Sequence, residues 1–183
     1  PLQKPRLPSF ANEIIGVDLV GPLPEYQGNK YLLTIVDHFT KYGLAIPIPD
    51  MTALTVAEAL VQHYFLRFGI PRFILSDQGK CFVSQLSHDL FKRWGIHKLQ
   101  TSAYRPGCNG VVERFHRTIE GILARISKEN GHDWGRLLPK VIACYNNLRH
   151  RSTGFTPNYL MLGREIHLPG FPSLDPYEFR KHR

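Results

Sequence analysis

The hydrophobic pattern of this chain changes its period at Thr52, and this change limits the folds that the chain can adopt. Three short apolar segments precede Thr52, at residues 13–20, 31–36 and 42–48. Their lengths and compositions are typical of β-strands, and the connections between them are short. We therefore expect the three strands to pair as an antiparallel meander.

A helix is predicted from Thr52 to Phe68, where apolar residues recur at helical spacing. Thr52 is suited to cap its N-terminus, and the Gly-Ile-Pro segment at residues 69–71 ends it. The short strand predicted at residues 73–75 is reached through this helix, so it should run parallel to an earlier strand. The sheet is therefore predicted to be mixed, which makes this an α/β chain.

Three further helices and a fifth strand complete the predicted order. One helix carries Leu86, Leu90, Phe91 and Trp94, and a strand near residues 97–101 leads into a loop at residues 102–110. In the two helices that follow, the inward-facing residues are Val112, Phe115, Ile119, Ile122 and Ile126, and then Trp134, Leu137, Leu138, Val141, Ile142 and Tyr145. Pro139 is expected to kink or break the last helix.

The composition restricts the partners and the compartment of the chain. Its 183 residues fit one α/β domain. The net charge of +8 would attract a polyanion, although a soluble domain that is merely basic stays an alternative. The three cysteines are odd in number and widely spaced, which favours reduced thiols inside the cell. They form no CxxC pair, which argues against a Cys/His zinc site among the nine histidines. No apolar run is long enough to cross a membrane, so no membrane partner is expected.

Three carboxylates stand out because each lies in its own local motif. Asp18 ends an apolar, strand-like run, Asp77 closes a second such run, and Glu113 opens a helix with 35 residues between it and Asp77. Strand ends and a helix face can converge in space, and their carboxylate oxygens suit hard cations such as Mg²⁺ or Mn²⁺. Two such cations, about 3.5–4 Å apart, stabilise the in-line attack on a phosphodiester. The three residues therefore predict metal-dependent phosphodiester chemistry.

Asp37 is the competing acid, because it closes the second strand. If the first two strands are antiparallel, Asp37 lies about five residues from Asp18, roughly 17 Å at about 3.4 Å per residue. That distance is too long for a shared metal ion, so Asp37 is expected to accept local backbone hydrogen bonds.

Structural alternatives remain for the other acids: Asp18 as a solvated strand-end residue, Asp77 as a turn or cap, and Glu113 as the helical partner of Arg117.

Several short motifs, together with the spacing of the carboxylates, resemble one protein family. The motifs are Asp18–Pro24, Val36–Lys41, Gly69–Pro71, Tyr145–Asn147, His150, Thr153–Pro157 and Leu160–Arg164. They resemble the catalytic core of retroviral and retrotransposon integrases, and gypsy-type long-terminal-repeat elements in particular. The resemblance covers roughly residues 10–168.

The resemblance implies a ribonuclease H-like fold, in which a mixed five-stranded sheet is flanked by helices. It also implies an integrase that trims the ends of retroelement DNA with water and joins the freed 3′-hydroxyl to host DNA, without a covalent enzyme intermediate. By match to the family motif, Asp18 should bridge two Mg²⁺ or Mn²⁺ ions, Asp77 should complete one site, and Glu113 should complete the other.

The same resemblance extends to the loop from Tyr104 to Gly110, which is similar to the mobile active-site loop of the family. Tyr104, Arg105 and Asn109 are therefore expected to contact DNA, although Tyr104 could equally be an aromatic residue at the edge of the core. At Gly107 the chain departs from the family, which commonly has Gln there, and the glycine removes one side-chain contact.

Three cations near the carboxylates are further candidates for DNA contacts. Arg117 lies one helical turn after Glu113 and shares its face, while Lys80 and Arg114 flank the same region. The Arg-His-Arg segment at residues 149–151 is a weaker candidate. All of these cations could instead be ordinary solvated surface residues.

The expected organisation is a linker at residues 1–10, a catalytic core at residues 11–168 and a flexible tail at residues 169–183. The family normally carries a His/Cys zinc module before this core and a small DNA-binding module after it. We therefore expect a core cut from a longer protein, in which full end processing is weak. The resemblance also implies action on DNA in the nucleus, as a homodimer or higher multimer, with host chromatin factors as further partners.

Two other functions stay open at this point. The first is a domesticated integrase remnant that binds DNA or proteins without catalysis. The second is a nuclease or transposase, because the ribonuclease H-like fold hosts those reactions as well. The intact set of three carboxylates favours an enzyme over the remnant, and analysis of the reaction products would separate the enzymes.

Overall fold

Five strands form one sheet in the computed structural model of the chain, which describes residues 7–77, 79–100, 114–119, 121 and 134–168, without the side chains of Lys80 and Gln100. The strands are β1 (Ile14–Val20), β2 (Tyr31–Asp37), β3 (Gly43–Ile48), β4 (Phe73–Ser76) and β5 (His97–Gln100). Their order across the sheet is β3-β2-β1-β4-β5. The first three strands pair antiparallel, and β4 pairs parallel to both β1 and β5. The predicted meander, the parallel fourth strand and the mixed sheet are confirmed.

The described helices are α1 (Ala53–Leu60), α2 (Leu66–Phe68), α3 (Lys80–Val83), α4 (Gln85–Arg93), α5 (residues 114–119), α6 (Trp134–Asn147) and α7 (Pro157–Leu162). The side chain of Thr52 caps α1 by accepting a hydrogen bond from the backbone of Thr55, and Gly69 ends α2 with a φ of 84°. Both helix limits predicted from the sequence are confirmed. A π-helical segment, Val61–Phe65, joins α1 to α2, which the spacing of apolar residues did not reveal.

The sheet is packed on both faces because side chains alternate along each strand. Helices α1 and α4 cover one face, and α5 and α6 cover the other face at the level of β2. Buried residues on the first face are Ile15, Val17, Leu33, Ile35, Leu60, Tyr64 and Phe91. Buried residues on the second face are Leu32, Val36, Phe115, Ile119, Trp134, Leu138, Val141 and Ile142.

The structure shows which face of α4 is buried, and it shows that Pro139 does not break α6. Leu86 is 44% exposed, because the buried stripe of α4 runs through Ser87 and Phe91, and Leu86 lies about 100° away around the helix. Helix α6 continues through Pro139, and the packing of its apolar stripe against the sheet compensates for the missing backbone donor.

Other predictions fall on residues that the structure leaves out. Val112, Ile122, Ile126, the start of the linker at residues 1–6 and the tail at residues 169–183 lie outside the described residues. Within the described part of the chain, no helix has the length and apolar character needed to cross a membrane.

Candidate active site

Asp18 lies on β1, directly opposite Thr34 of the antiparallel neighbour β2. Its backbone carbonyl accepts a hydrogen bond of 3.1 Å from the Thr34 hydroxyl. On its side chain, Oδ1 accepts the backbone N–H of Leu19 at 2.8 Å, and Oδ2 lies 3.3 Å from Nδ1 of His116. The side chain of Asp18 is 27% exposed, so a small cation can reach this carboxylate from solvent.

Asp77 follows β4 directly, and β4 is the parallel neighbour of β1 on its other side. The ladder pairs Ile15 with Ile74 and Gly16 with Leu75, so the same register continued by two residues brings Asp77 level with Asp18. Residues at one level of a parallel pair point to the same face, and the strands are about 4.8 Å apart. Continued in this way, the register places Asp18 and Asp77 at neighbouring positions, just past the point where the ladder between β1 and β4 ends.

The turn role that was considered for Asp77 is also present. Its Oδ1 accepts the backbone N–H of Gly79 at 2.8 Å, and its backbone carbonyl accepts the hydroxyl of Ser76 at 3.0 Å. Asp77 is nevertheless exposed. The hydrogen bond to Gly79 thus orients a carboxylate that stays accessible to solvent.

Helix α5 is held against the sheet close to Asp18. The Phe115 ring is buried and packs edge-on against Tyr145 of α6, with 4.7 Å between the ring centroids. A Cβ atom on Gly43 would lie 2.3 Å from this ring, so the glycine allows the helix to approach β3 closely. Because Phe115 is fixed in this way, the next residue, His116, lies over Asp18.

His116 and Thr34 are site residues that the sequence analysis missed, since it considered His116 only as a possible zinc ligand. The His116 ring is only 13% exposed, and its Nε2 makes a hydrogen bond with the Oγ1 of Thr34, which is fully buried. A signal was present: Thr34 is a polar residue within the apolar run of β2, and it shares a face with Leu32 and Val36.

Asp37 lies closer to Asp18 along the sheet than predicted. β1 continues to Val20, which pairs with Leu32, so Asp18 pairs with Thr34 rather than with the start of β2. Asp37 is therefore three positions from Thr34, or about 10 Å, and the predicted offset of five residues is wrong. Because three is an odd number, Asp37 points to the opposite face of the sheet.

The local role predicted for Asp37 is confirmed. Its Oδ1 accepts the backbone N–H of Asn12 at 3.0 Å. Its Oδ2 accepts the backbone N–H of Thr40 at 2.8 Å and the Thr40 hydroxyl at 2.6 Å. Burial raises the pKa of Asp37, and the hydrogen bonds from Thr40 and Asn12 oppose this rise.

Two titratable groups that the sequence analysis did not single out lie near Asp77. The ammonium group of Lys98, on β5, donates to the carbonyl of Phe82 at 2.6 Å. Burial lowers the pKa of Lys98, while the charge of Asp77 acts to raise it. Burial and the charge of Asp77 both raise the pKa of Cys81. Lys98 therefore contributes positive charge beside the carboxylate.

Arginine side chains line a groove between α5 and the residues that follow α6. Its volume is about 800 Å³, and its basic lining residues are Arg114, Arg117, Arg149, His150 and Arg151. Arg114 and Arg117 are exposed, and no acidic residue is among the described lining residues. Burial lowers the pKa of His150, and the charges of Lys41 and Arg114 lower it further. The groove is therefore suited to attract an anion.

The remaining predicted site residues cannot be described. Glu113, Tyr104, Arg105 and Asn109 lie outside the described residues, and so does the side chain of Lys80.

Among the described residues, no three His, Cys, Asp or Glu side chains form a group that could hold a metal ion. The two adjacent carboxylates nevertheless supply the hard oxygen donors that Mg²⁺ or Mn²⁺ requires, so the residues present fit a divalent cation.

Sequence comparison relates the chain to polyproteins of viruses and transposons. A family model described as Integrase core domain matches residues 9–106. The Pol polyprotein of Feline endogenous virus ECE1 is 40% identical over 148 residues, which are 80% of this chain and 14% of that polyprotein. The retrovirus-related Pol polyprotein from transposon 412 of Drosophila melanogaster is 31% identical over 170 residues, which are 92% of this chain and again 14% of the relative.

Structural comparison relates the fold to solved catalytic cores. The HTLV-2 integrase catalytic core domain in complex with magnesium, in its trimeric form, has a TM-score of 0.67 and 20% identity, and the match covers 84% of this chain and 98% of that one. The catalytic core domain of BIV integrase has a TM-score of 0.66 and 27% identity, covering 83% and 95%. These matches confirm the ribonuclease H-like fold predicted from the sequence.

Proposed function

Since this chain belongs to the integrase core domain family, which serves retroviral-type DNA integration, we propose that it processes the 3′ ends of retroelement DNA and transfers them into host DNA. Both steps would be metal-dependent exchanges at a phosphodiester. The chain spans only 14% of the two polyproteins described above, so this proposal concerns the reaction of the core alone.

One observation carries the proposal: the parallel register of β1 and β4, continued two residues past its last pair, Gly16 with Leu75, brings Asp77 level with Asp18. In this register the two side chains point to the same face. Like charges placed side by side repel each other, which makes the pair a poor structural element in the absence of a cation. Both side chains are also reached by solvent. Accessible, adjacent carboxylates are the arrangement that a divalent cation and a phosphodiester substrate require.

Asp18, Asp77 and Glu113 are the residues that would hold two Mg²⁺ or Mn²⁺ ions. When bound, the ions neutralise the attacking, leaving and non-bridging oxygens of the reacting phosphodiester. The backbone N–H of Leu19 and the ring of His116 orient Asp18, and the N–H of Gly79 orients Asp77. The part of Glu113 in this set rests on its sequence motif, and it is supported by the contact of Asp18 with His116, which is three residues further along the chain.

The DNA would be held by cations next to the carboxylates. Arg114 and Arg117 are exposed on α5, the helix that contacts Asp18 through His116, and they continue into the groove lined by residues 149–151. Phosphate groups could follow this groove to the carboxylates. The DNA contacts proposed for Tyr104, Arg105, Asn109 and Lys80 rest on the sequence.

We further propose that the chain acts in the nucleus as a homodimer or higher multimer, with host chromatin factors as further partners. The HTLV-2 integrase catalytic core is known in dimeric and trimeric forms, which supports a multimer. The simian T-cell lymphotropic virus intasome, described in complex with a regulatory subunit of PP2A, is also similar, with a TM-score of 0.75 and 22% identity over 96% of this chain and 63% of that one.

A branched DNA that mimics the joined product tests the reaction directly. The chain should reseal this DNA in Mn²⁺ or Mg²⁺, and Asp18→Asn and Glu113→Gln should each lower the rate by about a thousandfold, because each removes a ligand that stabilises the transition state by several kcal/mol. Asp89→Asn, which changes an exposed aspartate on α4, is the matched control and should keep the wild-type rate.

The products separate the remaining functions. Cleavage without joining would indicate a nuclease. A folded chain that binds the branched DNA but leaves it unchanged in either metal would contradict the proposal and favour a domesticated DNA-binding module.

A further inference from the structure

We infer that His116 is a positioning residue for Asp18, which holds the carboxylate in the orientation that binds divalent cations. The inference rests on the proposed function, since it concerns the same carboxylates. It adds a residue that belongs to none of the three acidic motifs. His116 would act through Asp18, without itself contacting the cation or the DNA.

The contacts of Asp18 fix the plane of its carboxylate. Oδ1 accepts the N–H of Leu19 at 2.8 Å, and Oδ2 lies 3.3 Å from Nδ1 of His116. A carboxylate that is anchored at one oxygen can still rotate about its Cβ–Cγ bond, whereas partners at both oxygens restrict that rotation. The donor on Oδ1 belongs to the backbone of β1, and the partner of Oδ2 is the side chain of His116.

The ring of His116 is itself held at both nitrogens. Its Nε2 makes a hydrogen bond with Oγ1 of Thr34, and the same oxygen contacts the carbonyl of Asp18 at 3.1 Å. Thr34 is fully buried on the central strand pair, so it cannot follow a movement of the ring. Asp18, His116 and Thr34 therefore form a closed set of contacts that links β1, β2 and α5.

The packing of Phe115 determines where α5 lies above the sheet. Phe115 precedes His116 and is buried against Gly43 and Tyr145, which fixes the height of the helix above the sheet. Partners that orient a metal-binding side chain typically change metal affinity by about 10- to 100-fold when they are removed. Because α5 carries His116, the packing of α5 against the sheet also affects the orientation of the Asp18 carboxylate.

The experiment measures Mn²⁺ binding by the chain without DNA, from the electron paramagnetic resonance signal of free Mn²⁺, at a single pH. His116→Ala should weaken binding by about tenfold. In His116→Asn the side-chain amide nitrogen takes the place of Nδ1, so binding should return to within about threefold of the wild type. In His116→Gln the amide reaches toward Thr34 instead, and binding should stay as weak as in the alanine variant.

His88→Ala is the matched control, because His88 is an exposed histidine on α4, and its Mn²⁺ affinity should equal that of the wild type. Thermal unfolding without metal shows which variants are folded, and if His116→Ala fails to fold, the comparison of the Asn and Gln variants decides. Equal affinity in all His116 variants, or tighter binding by the alanine variant, would overturn the positioning role alone. If the wild type and His88→Ala bind no Mn²⁺, the proposed function fails as well.

Discussion

Asp37 is fully buried and Asp18 is partly exposed, although the two aspartates lie on paired strands and three positions apart in the register. The carboxylate of Asp37 accepts hydrogen bonds from Asn12 and Thr40, which fix the segment before β1 and the turn after β2. The carboxylate of Asp18 instead faces a histidine from a distant helix and stands level with a second acid. Asp37, which is enclosed by hydrogen-bond donors, stabilises the fold. Asp18, which solvent can reach, is available to bind a ligand.

Burial also shifts the pKa values of the residues in and next to the turn after β2. Burial lowers the pKa of His38 to about 4, with a smaller contribution from Lys41, and burial also lowers the pKa of Lys41. The pKa of Asp37 is raised for the same reason. Burial therefore disfavours the charged forms of these side chains, and we expect them to contribute to the pH dependence of folding.

Replacing Asp37 should have the largest effect on stability. Asp37→Ala leaves the buried N–H and hydroxyl of Thr40 and the half-buried N–H of Asn12 without their acceptor, so the free energy of unfolding should fall by about 4 kcal/mol near neutral pH. Urea denaturation measures this loss. Asp18→Asn is the contrasting variant and should change the free energy of unfolding by less than about 1 kcal/mol, because it relieves repulsion from Asp77. Equal losses in both variants would remove the distinction between the two regions.

The pH dependence of stability tests the role of His38. Because its folded pKa of about 4 lies below the ordinary 6.5, the unfolded chain binds more protons between these values. The stability that depends on neutral His38 is therefore complete above pH 6.5 and is lost as the pH falls toward 4. The total loss should be about 3 kcal/mol. His38→Gln cannot titrate, so the difference in unfolding free energy between wild type and variant should change over this range, and parallel pH curves would contradict the prediction.

A smaller effect is expected from the turn that orients Asp77. The backbone of Gly79, with φ −53° and ψ 140°, suits alanine, but a Cβ atom there would lie 2.9 Å from Oδ1 of Asp77. Gly79→Ala should therefore turn the carboxylate and weaken Mn²⁺ binding by less than about tenfold, with a change in unfolding free energy below about 0.5 kcal/mol. Gly121→Ala is the control, since no atom of the described residues lies within 4 Å of its added Cβ atom. A loss of stability without a change in Mn²⁺ binding would show that this turn belongs to the structural region.

The sequence alone determined the order of the elements, because hydrophobic period, caps and chain breakers are local signals. It predicted the meander, the Thr52 cap, the end at Gly69 and the parallel placement of β4. It also indicated Asp18 and Asp77, since the end of an apolar strand is itself a local feature. The participation of Asp18, Asp77 and Glu113 in a metal site stays a prediction.

Only the tertiary structure decided the register and the contacts between distant segments. The predicted offset of Asp37 was wrong because the register depends on how far β1 continues beside β2, which no single segment specifies. The contact of His116 with Asp18 was missed because it depends on how Phe115 packs between Gly43 and Tyr145. Such contacts join residues that are far apart in the chain, and they are decided by the fit of side-chain volumes, which the period of a sequence does not record.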